Sequence, residues 1–428
     1  MNFRESVDYL ISLGNEVSAM KLGLENIRAL LSALGDPQNS YIKVQVAGTN
    51  GKGSVCAFLD AICREAGIKT GVLTSPHLVS ITERVRIDGK DIIDEDFARY
   101  ATRIRDTSEE LLATGGIASV PTFFEQGTAI ALLAFADARV ELAILETGLG
   151  GRLDATTAAK AEIAAITRID LDHQEYLGES LTEIAGEKAA IINPHSVAVI
   201  GQQDDEARKV ISERCCEVGV EPIWATPDID TENSQGGLVY SFQTDRRTYA
   251  GVKLGFAGRH QAANAAVAIG IAEALLQHGF AISESDIRTG LANAKHPGRL
   301  ERRGRFLFDG AHNVAGARAL KDYLDEFEQG PFTLVFGVME KKDFVAMICI
   351  LLPKARTVVL TRPDNPRAVP PETIAAHLGD ALSGRVVLTG STADALARAT
   401  EISSADNSLI VVTGSLYLVG EARKILNN

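Results

Sequence analysis

Apolar residues in the first stretch of the chain recur at every third or fourth position. Between Lys21 and Gly35 they are Leu22, Leu24, Ile27, Leu30, Leu31 and Leu34. That 3.6-residue period predicts an amphipathic helix within residues 1–35, stopped by Gly35 with Pro37 beyond it. From residue 42 the period shortens. Residues 41–48 (YIKVQVAG), 71–75 (GVLTS), 141–148 (ELAILETG) and 161–167 (AEIAAIT) are short apolar runs, and most end in glycine or a small hydroxyl residue. Helical patterns lie between them, at 54–67 (SVCAFLDAICREAG) and 123–138 (FFEQGTAIALLAFADA). Strands alternating with helices predict an α/β domain with a mainly parallel sheet. Strand-like pieces at 196–201, 237–243 and 247–254 and a long apolar helix at 261–279 close this region.

The alternation then restarts. NAKHPGRLER at 293–302 is polar and carries Pro-Gly, as linkers do. Beyond it RFLFDG, FTLVFG, RTVVLT, RVVLTG and SLIVVTG alternate with helices that begin near 312, 342, 372 and 392, and a last helix runs to the C-terminus. The expected organisation is α/β throughout. Residues 1–294 form an ATP-binding domain of P-loop type, 295–303 a linker, and 304–428 a smaller Rossmann-like domain.

Composition narrows the function classes. The 428 residues, 46% hydrophobic and 23% charged, suffice for two or three globular domains. A formal net charge of -13 argues against a nucleic-acid partner, which needs clustered Lys and Arg. The five cysteines form no CxxC pair, so a reducing compartment and no thiolate metal site are expected. Arg4, Glu5 and Asp8 interrupt the first residues, so no signal peptide is expected there, and no apolar run of about 18 residues appears. The chain is expected to be soluble and cytoplasmic, with no membrane partner.

The strongest local signal is Gly48-Thr49-Asn50-Gly51-Lys52-Gly53-Ser54, placed between a strand and a helix. Glycines let backbone N–H groups turn inward, the helix N-terminus adds partial positive charge, and Lys52 brings a mobile cation to the β- and γ-phosphates of a nucleotide. The hydroxyl of Ser54 or of Thr49 is placed to reach Mg²⁺ or a phosphate oxygen. The spacing departs from the standard P-loop, because Val46 stands where that pattern has its first glycine and Gly53 separates Lys52 from Ser54. A glycine-rich turn with an incidental lysine is the bland alternative.

Further blocks follow in order. They are Thr74-Ser75-Pro76-His77-Leu78 with Glu83-Arg84, Glu146 through Thr156 (ETGLGGRLDAT), Leu171-Asp172-His173 with Leu177-Gly178, and Ile184 through Lys188. After them come Gly258-Arg259-His260-Gln261 with Asn264, Pro297 through Glu301, and Asp309-Gly310-Ala311-His312-Asn313. Together they resemble the folylpolyglutamate synthase/dihydrofolate synthase family of the Mur ligase superfamily over nearly the whole chain. Two positions depart from the family pattern: Thr157 where Asn is usual, and Ala189-Ala190 where Ala-Gly is commoner.

The resemblance implies ATP-driven amide formation. A pteroate or folate carboxylate is phosphorylated, and the amine of L-glutamate displaces phosphate. It implies Thr49 through Ser54, Asn264, Arg299, Asp309 and His312 around the nucleotide, which places ATP in a cleft between the domains. It implies Glu146, Ser75, His173 and Ser54 as Mg²⁺ ligands, and Lys52, Lys188, His173 and Glu146 as catalytic residues, with Lys188 carbamylated. Carbamylation needs a neutral amine and so a depressed pKa. The acceptor side is implied at Leu22-Gly23, Thr122-Phe123-Phe124-Glu125 and Leu153-Asp154-Ala155, where a phenylalanine suits a flat heterocycle and Asp154 suits its ring nitrogens. The partners implied are small molecules (dihydropteroate or a reduced folate, and L-glutamate) and the protein a monomer. The competing readings are another Mur-type amino-acid ligase, for whose extra N-terminal domain the chain leaves no room before Gly48, a P-loop NTPase or kinase, and a folate-binding paralogue without activity.

Overall fold

Eight strands build the sheet on which the phosphate loop sits. They are β1 (Ile42–Ala47), β2 (Thr70–Leu73), β3 (Val85–Ile87), β4 (Lys90–Asp91), β5 (Leu142–Glu146), β6 (Ile163–Ile166), β7 (Val197–Gly201) and β8 (Pro222–Ala225). The computed structural model describes residues 1–14, 23–226, 232–234, 237–379 and 384–427. Strand order is β4-β3-β2-β5-β1-β6-β7-β8. Only β3 and β4, at one edge, run antiparallel to their neighbours. Central strands such as Leu142–Glu146 and Ile163–Ile166 are buried along their whole length, so they read as continuous apolar runs.

Strand β1 lies between β5 and β6, with Val46 beside Glu146 and Ala47 beside Ile166. The loops leaving three adjacent parallel strands therefore open at one end of the sheet, where ligands of α/β sheets gather. Helix Lys52–Glu65 follows the first of these loops and buries every residue from Ser54 to Cys63. Helix Gln261–Leu275 is buried almost throughout.

Sequence and structure differ in places here. The periodic stretch 1–35 yields two helices, Phe3–Ser12 and Glu25–Ala33. Leu22 lies outside the described residues. Helix Asp94–Ala113 is an addition to the elements expected from the sequence; it buries Phe97, Ala98, Tyr100, Ala101, Ile104 and Ser108 behind three acids in its first turn. The pieces at 237–243 and 247–254 leave the main sheet. They form a separate antiparallel set of β9 (Glu232–Ser234), β10 (Gly237–Gln243) and β11 (Thr248–Val252).

The chain divides into two units. The first comprises Met1–Pro76, Ile81–Gly255 and Gln261–Lys295, and the second His77–Ser80, Phe256–His260 and His296–Asn428. The second unit carries β12 (Glu301–Arg303), β13 (Phe306–Phe308), β14 (Phe332–Phe336), β15 (Ala355–Leu360), β16 (Val386–Leu388) and β17 (Ile410–Thr413). Their order is β12-β13-β17-β14-β15-β16, parallel except for β12, in keeping with the Rossmann-like expectation. Leu78 belongs to this unit through backbone contact: a Cβ on Gly420 would lie 1.9 Å from its carbonyl oxygen. Among the described residues no helix is long and apolar enough to cross a membrane.

Helix Lys52–Glu65 is held by an equally close approach. A Cβ on Gly290 would lie 2.4 Å from Ile62 Cα. Backbone cannot yield as a side-chain tip can, so Gly290→Ala is expected to destabilise the fold by about 1–3 kcal/mol, read as a lower urea midpoint at unchanged m-value.

Candidate functional site

The turn after β1 is shaped by what it excludes. Gly48 has φ 150° and a Cβ there would lie 1.8 Å from Thr167 Oγ1; Gly51 has φ 91° and its Cβ would meet Asn264 Oδ1 at 2.2 Å. Both glycines therefore let other chain segments touch the turn directly. Thr167 Oγ1 donates to Asn50 O at 2.7 Å. Thr49 Oγ1 donates to Asp170 O at 2.9 Å and accepts from Asp170 N at 3.1 Å. Asn50 Nδ2 donates to Asp170 Oδ2 at 3.1 Å. The side chains of Thr49 and Asn50 thus anchor the loop, and their backbone N–H groups donate to Arg168 O at 2.9 and 3.3 Å, which leaves the start of helix Lys52–Glu65, after Gly51 and with Gly53 and buried Ser54, as the part suited to phosphate.

Two lysines converge on one carbonyl of this turn. Lys52 Nζ donates to Gly48 O at 3.1 Å and to Thr49 O at 3.3 Å. Lys188, 4% exposed on helix Leu181–Ala189, donates to the same Gly48 O at 3.0 Å. Burial, reinforced by the neighbouring Lys52 charge, lowers Lys188 to about 7; Asp172, Asp154 and Glu187 act in the opposite direction. An amine in that range is partly neutral near physiological pH, and so nucleophilic as well as cationic.

Glu146 ends β5 and is buried; its Oε2 accepts from Ser75 N at 3.1 Å, so these two candidates stand together. His173 has φ 51° and ψ 38° in the turn before helix Gln174–Leu177, and Asp172 accepts from its backbone N at 2.9 Å. No three His, Cys, Asp or Glu side chains among the described residues gather into a metal cage. Glu146, held by the Ser75 backbone N–H, therefore offers a single carboxylate. It fits Mg²⁺, which keeps several waters and takes substrate phosphate oxygens.

The glycine-rich stretch after β5 is held together through Asp154. Its Oδ2 accepts from Gly148 N and Leu149 N, both at 3.0 Å, and its Oδ1 accepts from Thr156 N at 3.0 Å and from Thr156 Oγ1. Four donors use the lone pairs of a carboxylate, so Asp154 is the internal brace of this loop. Burial raises its pKa against the pull of those donors. Thr122 and Glu125 stand at the start of a helix, on either side of the phenylalanine pair. They form a reciprocal capping box on helix Phe123–Asp137, with Thr122 N donating to Glu125 Oε2 at 2.8 Å and Glu125 N to Thr122 Oγ1 at 3.3 Å.

Three of the acceptor-side candidates, Phe123, Phe124 and Ala155, share one apolar cluster. Leu24, next to Gly23, packs in it with Phe123 and Ala155, and Phe124 lies at its margin. A Cβ on Gly148 would lie 2.6 Å from the Phe124 ring, and the Arg84 guanidinium stands 5.1 Å from the Phe123 ring centre. Leu153 is an exposed apolar residue on the same loop. Beneath the loop, Gln45 Nε2 donates to Thr157 Oγ1 at 2.8 Å and to Thr156 Oγ1 at 2.9 Å. Sequence patterning does not single out Asp170 or Gln45. Asp170 stands two residues before Asp172 in the same block, which is the one signal that could have found it. Gln45 has the pattern of a routine polar break in a strand.

Asn264 joins the phosphate loop through Gly51. Arg299, Asp309 and His312 belong to the second unit. There Asp309, buried and raised in pKa by burial against the nearby Arg299 charge, accepts from Leu300 N and Ala311 N, each at 3.0 Å. Gly310 O lies 2.9 Å from His312 Nδ1, and the helix cap is the neighbouring Asn313, which accepts from Gly316 N at 2.8 Å.

Comparison with known proteins points one way. Residues 46–272 match the Mur ligase middle domain, and residues 298–416 the Mur ligase, glutamate ligase domain. A Mycobacterium tuberculosis dihydrofolate synthase/folylpolyglutamate synthase is 36% identical over 94% of this chain and 89% of its own length. A Haloferax volcanii protein named "Probable bifunctional folylpolyglutamate synthase/dihydropteroate synthase" is 38% identical over 99% of this chain, which spans 50% of that longer protein. The crystal structure of Mycobacterium tuberculosis folylpolyglutamate synthase complexed with ADP and AMPPCP superposes with a TM-score of 0.90 at 34% identity, covering 100% of this chain and 99% of that one.

Two measurements test the geometry. Lys188 is neutral in the folded chain above about pH 7, whereas an unfolded lysine keeps its proton to 10.5. The unfolded state then binds more protons across that window, so stability rises with pH, by at most about 1.4 kcal/mol per unit. Urea unfolding from pH 7 to 10 is expected to show this rise in the wild type and a flatter profile in Lys188→Met. In calorimetric titration with ATP, Gly48→Ala is expected to weaken binding at least about tenfold (about 1.4 kcal/mol), because Thr167 and the turn cannot both keep their places.

Proposed function

The chain belongs to the folylpolyglutamate synthase/dihydrofolate synthase family of Mur ligases, and from that premise we propose that it joins L-glutamate to dihydropteroate and to reduced folates in an ATP- and Mg²⁺-dependent reaction. The observation that carries this reading is the meeting of Lys52 and Lys188 at the Gly48 carbonyl, beside the strand that ends in Glu146. Transfer of a phosphoryl group between anions needs cations and N–H donors held in place before the substrates arrive.

In the proposed reaction a carboxylate oxygen of the acceptor attacks the γ-phosphorus of ATP, and ADP departs with the electrons of the broken bond. The glutamate amine then attacks the acyl carbon, loses a proton, and inorganic phosphate leaves. Lys52 turns from the loop carbonyls to the β- and γ-phosphates, whose charge competes well with two backbone oxygens. The N–H groups from Gly51 to Ser54 and the first turn of helix Lys52–Glu65 hold the same phosphates. Glu146 and Ser75, with Ser54 and His173, hold Mg²⁺. That ion supplies charge neutralisation at the phosphates.

Lys188, buried and lowered toward neutrality, is suited to take up CO2 as a carbamate and so bring an anion to the metal site. Asn264, Arg299, Asp309 and His312 complete the nucleotide contacts. Leu22-Gly23, Thr122-Phe123-Phe124-Glu125 and Leu153-Asp154-Ala155 serve the acceptor side. Residues 1–294, without the segments 77–80 and 256–260, serve as the ATP-binding domain and 304–428 as the glutamate-ligase domain; the expected linker 295–303 is instead largely part of the second unit, since Leu300 packs in its core and Glu301–Arg303 is its strand β12. A monomer in a reducing cytoplasm is consistent with five free cysteines.

Phosphate release from ATP by the purified chain tests this reading. It is expected to require glutamate together with dihydropteroate or tetrahydrofolate, and to fall at least about a hundredfold in Lys52→Ala. ATP turnover indifferent to glutamate would instead mark a nucleotide hydrolase.

A further inference from the structure

The loop from Gly148 to Ala155 touches two regions of the proposed site. At one end Gly148 lies against Phe124. In its middle it runs onto the last turn of helix Leu181–Ala189. A Cβ on Gly151 would lie 2.7 Å from Glu187 O and 3.1 Å from Lys188 O. Arg152 N donates to Glu187 O at 2.9 Å, its Nε to Glu187 Oε1 at 2.9 Å, and its Nη2 to Gly186 O at 3.4 Å. One residue thus takes two of the carbonyls that a helix C-terminus leaves without intrahelical partners, and brings the positive charge favoured there. The next side chain on that helix is Lys188, whose amine lies 3.0 Å from Gly48 O.

We propose that Arg152 is a positioning residue. It fixes the last turn of helix Leu181–Ala189 against the glycine-rich loop, so that Lys188 stays aligned on the phosphate loop. Arg152 is 54% exposed and Glu187 30%. A pair so placed contributes little to global stability, and a purely structural role would leave catalysis unmoved. Misplacing a reacting group by about 1 Å, in contrast, costs up to about a hundredfold in rate. The Asp154 and Gln45 brackets keep the loop rigid enough for Arg152 to act as a fixed point. The kinetic consequence rests on the ligase reading; the alignment of Lys188 does not.

The experiment therefore has two arms on the full chain, with Arg152→Ala and Arg152→Lys. In the first, lysines are acetylated with limiting acetic anhydride and followed by peptide mass spectrometry, without substrates. Lys188 labelling is expected to rise at least about fivefold in Arg152→Ala and to return toward wild type in Arg152→Lys. Lys43, equally buried on β1 against Glu162 at 3.0 Å, is the internal control and should not change. In the second arm kcat is expected to fall about tenfold to a hundredfold in Arg152→Ala, with KM for ATP within about threefold and partial recovery in Arg152→Lys. Unchanged Lys188 labelling in Arg152→Ala, or equal gains at Lys188 and Lys43, overturns the inference. Failure of the ligase reading shows separately, as a wild-type chain without glutamate-dependent turnover, and the labelling arm still decides the role of Arg152.

Discussion

The Gly48 carbonyl receives ammonium groups from two directions, and the rest of the site is arranged around that contact. Lys52 comes from the helix that follows the loop and Lys188 from a helix more than a hundred residues later. A buried cation with one backbone acceptor is unfavourable unless its pKa gives way, and that of Lys188 does. Its position is then set by packing rather than by a counter-ion: Gly151 admits the loop to the helix backbone, and Gly48 and Gly51 admit Thr167 and Asn264 to the turn. Backbone approaches of this kind leave few alternative geometries for the segments that carry the two lysines.

Much of this was legible in the residues, for identifiable reasons. The phosphate loop has a pattern of its own, glycines and a lysine between a strand and a helix, and the structure realises it on β1 at the centre of the sheet. The second α/β unit announces itself by repeated apolar strands ending in glycine or a small hydroxyl residue. Polar side chains were harder to place, because a sequence shows which groups they carry but not which way they turn. Asp154 turns out to accept from four donors of its own loop. Thr122 and Glu125, three residues apart at the start of a helix, cap it reciprocally. Helix Asp94–Ala113 went unmarked because its many charged residues break up a narrow buried face.

The glycine-rich loop after β5 is tied to β1 by polar interior contacts. Gln45 reaches Thr156 and Thr157 from within β1, while Asp154 closes the loop from inside. Thr157 also donates to Gly151 O at 2.7 Å, a short polar tie between the loop's end and its middle. Buried networks of this kind specify one arrangement when every member is satisfied. Here that arrangement places Phe124 at one end of the loop and Arg152 beside the Lys188 helix.

The path of the chain through its two units has a practical consequence. The segments His77–Ser80 and Phe256–His260 belong with His296–Asn428 although they are far from it in sequence. Leu78 is seated so closely on Gly420 that no side chain fits between them. A cut at residue 296 would not release a self-sufficient fragment, since it would leave two of that body's pieces behind on the other half. Gene fusions or shuffled chimeras that treat the C-terminal region as a detachable cassette must carry those two short inserts with it, or supply a host whose own inserts are shaped to the same surface.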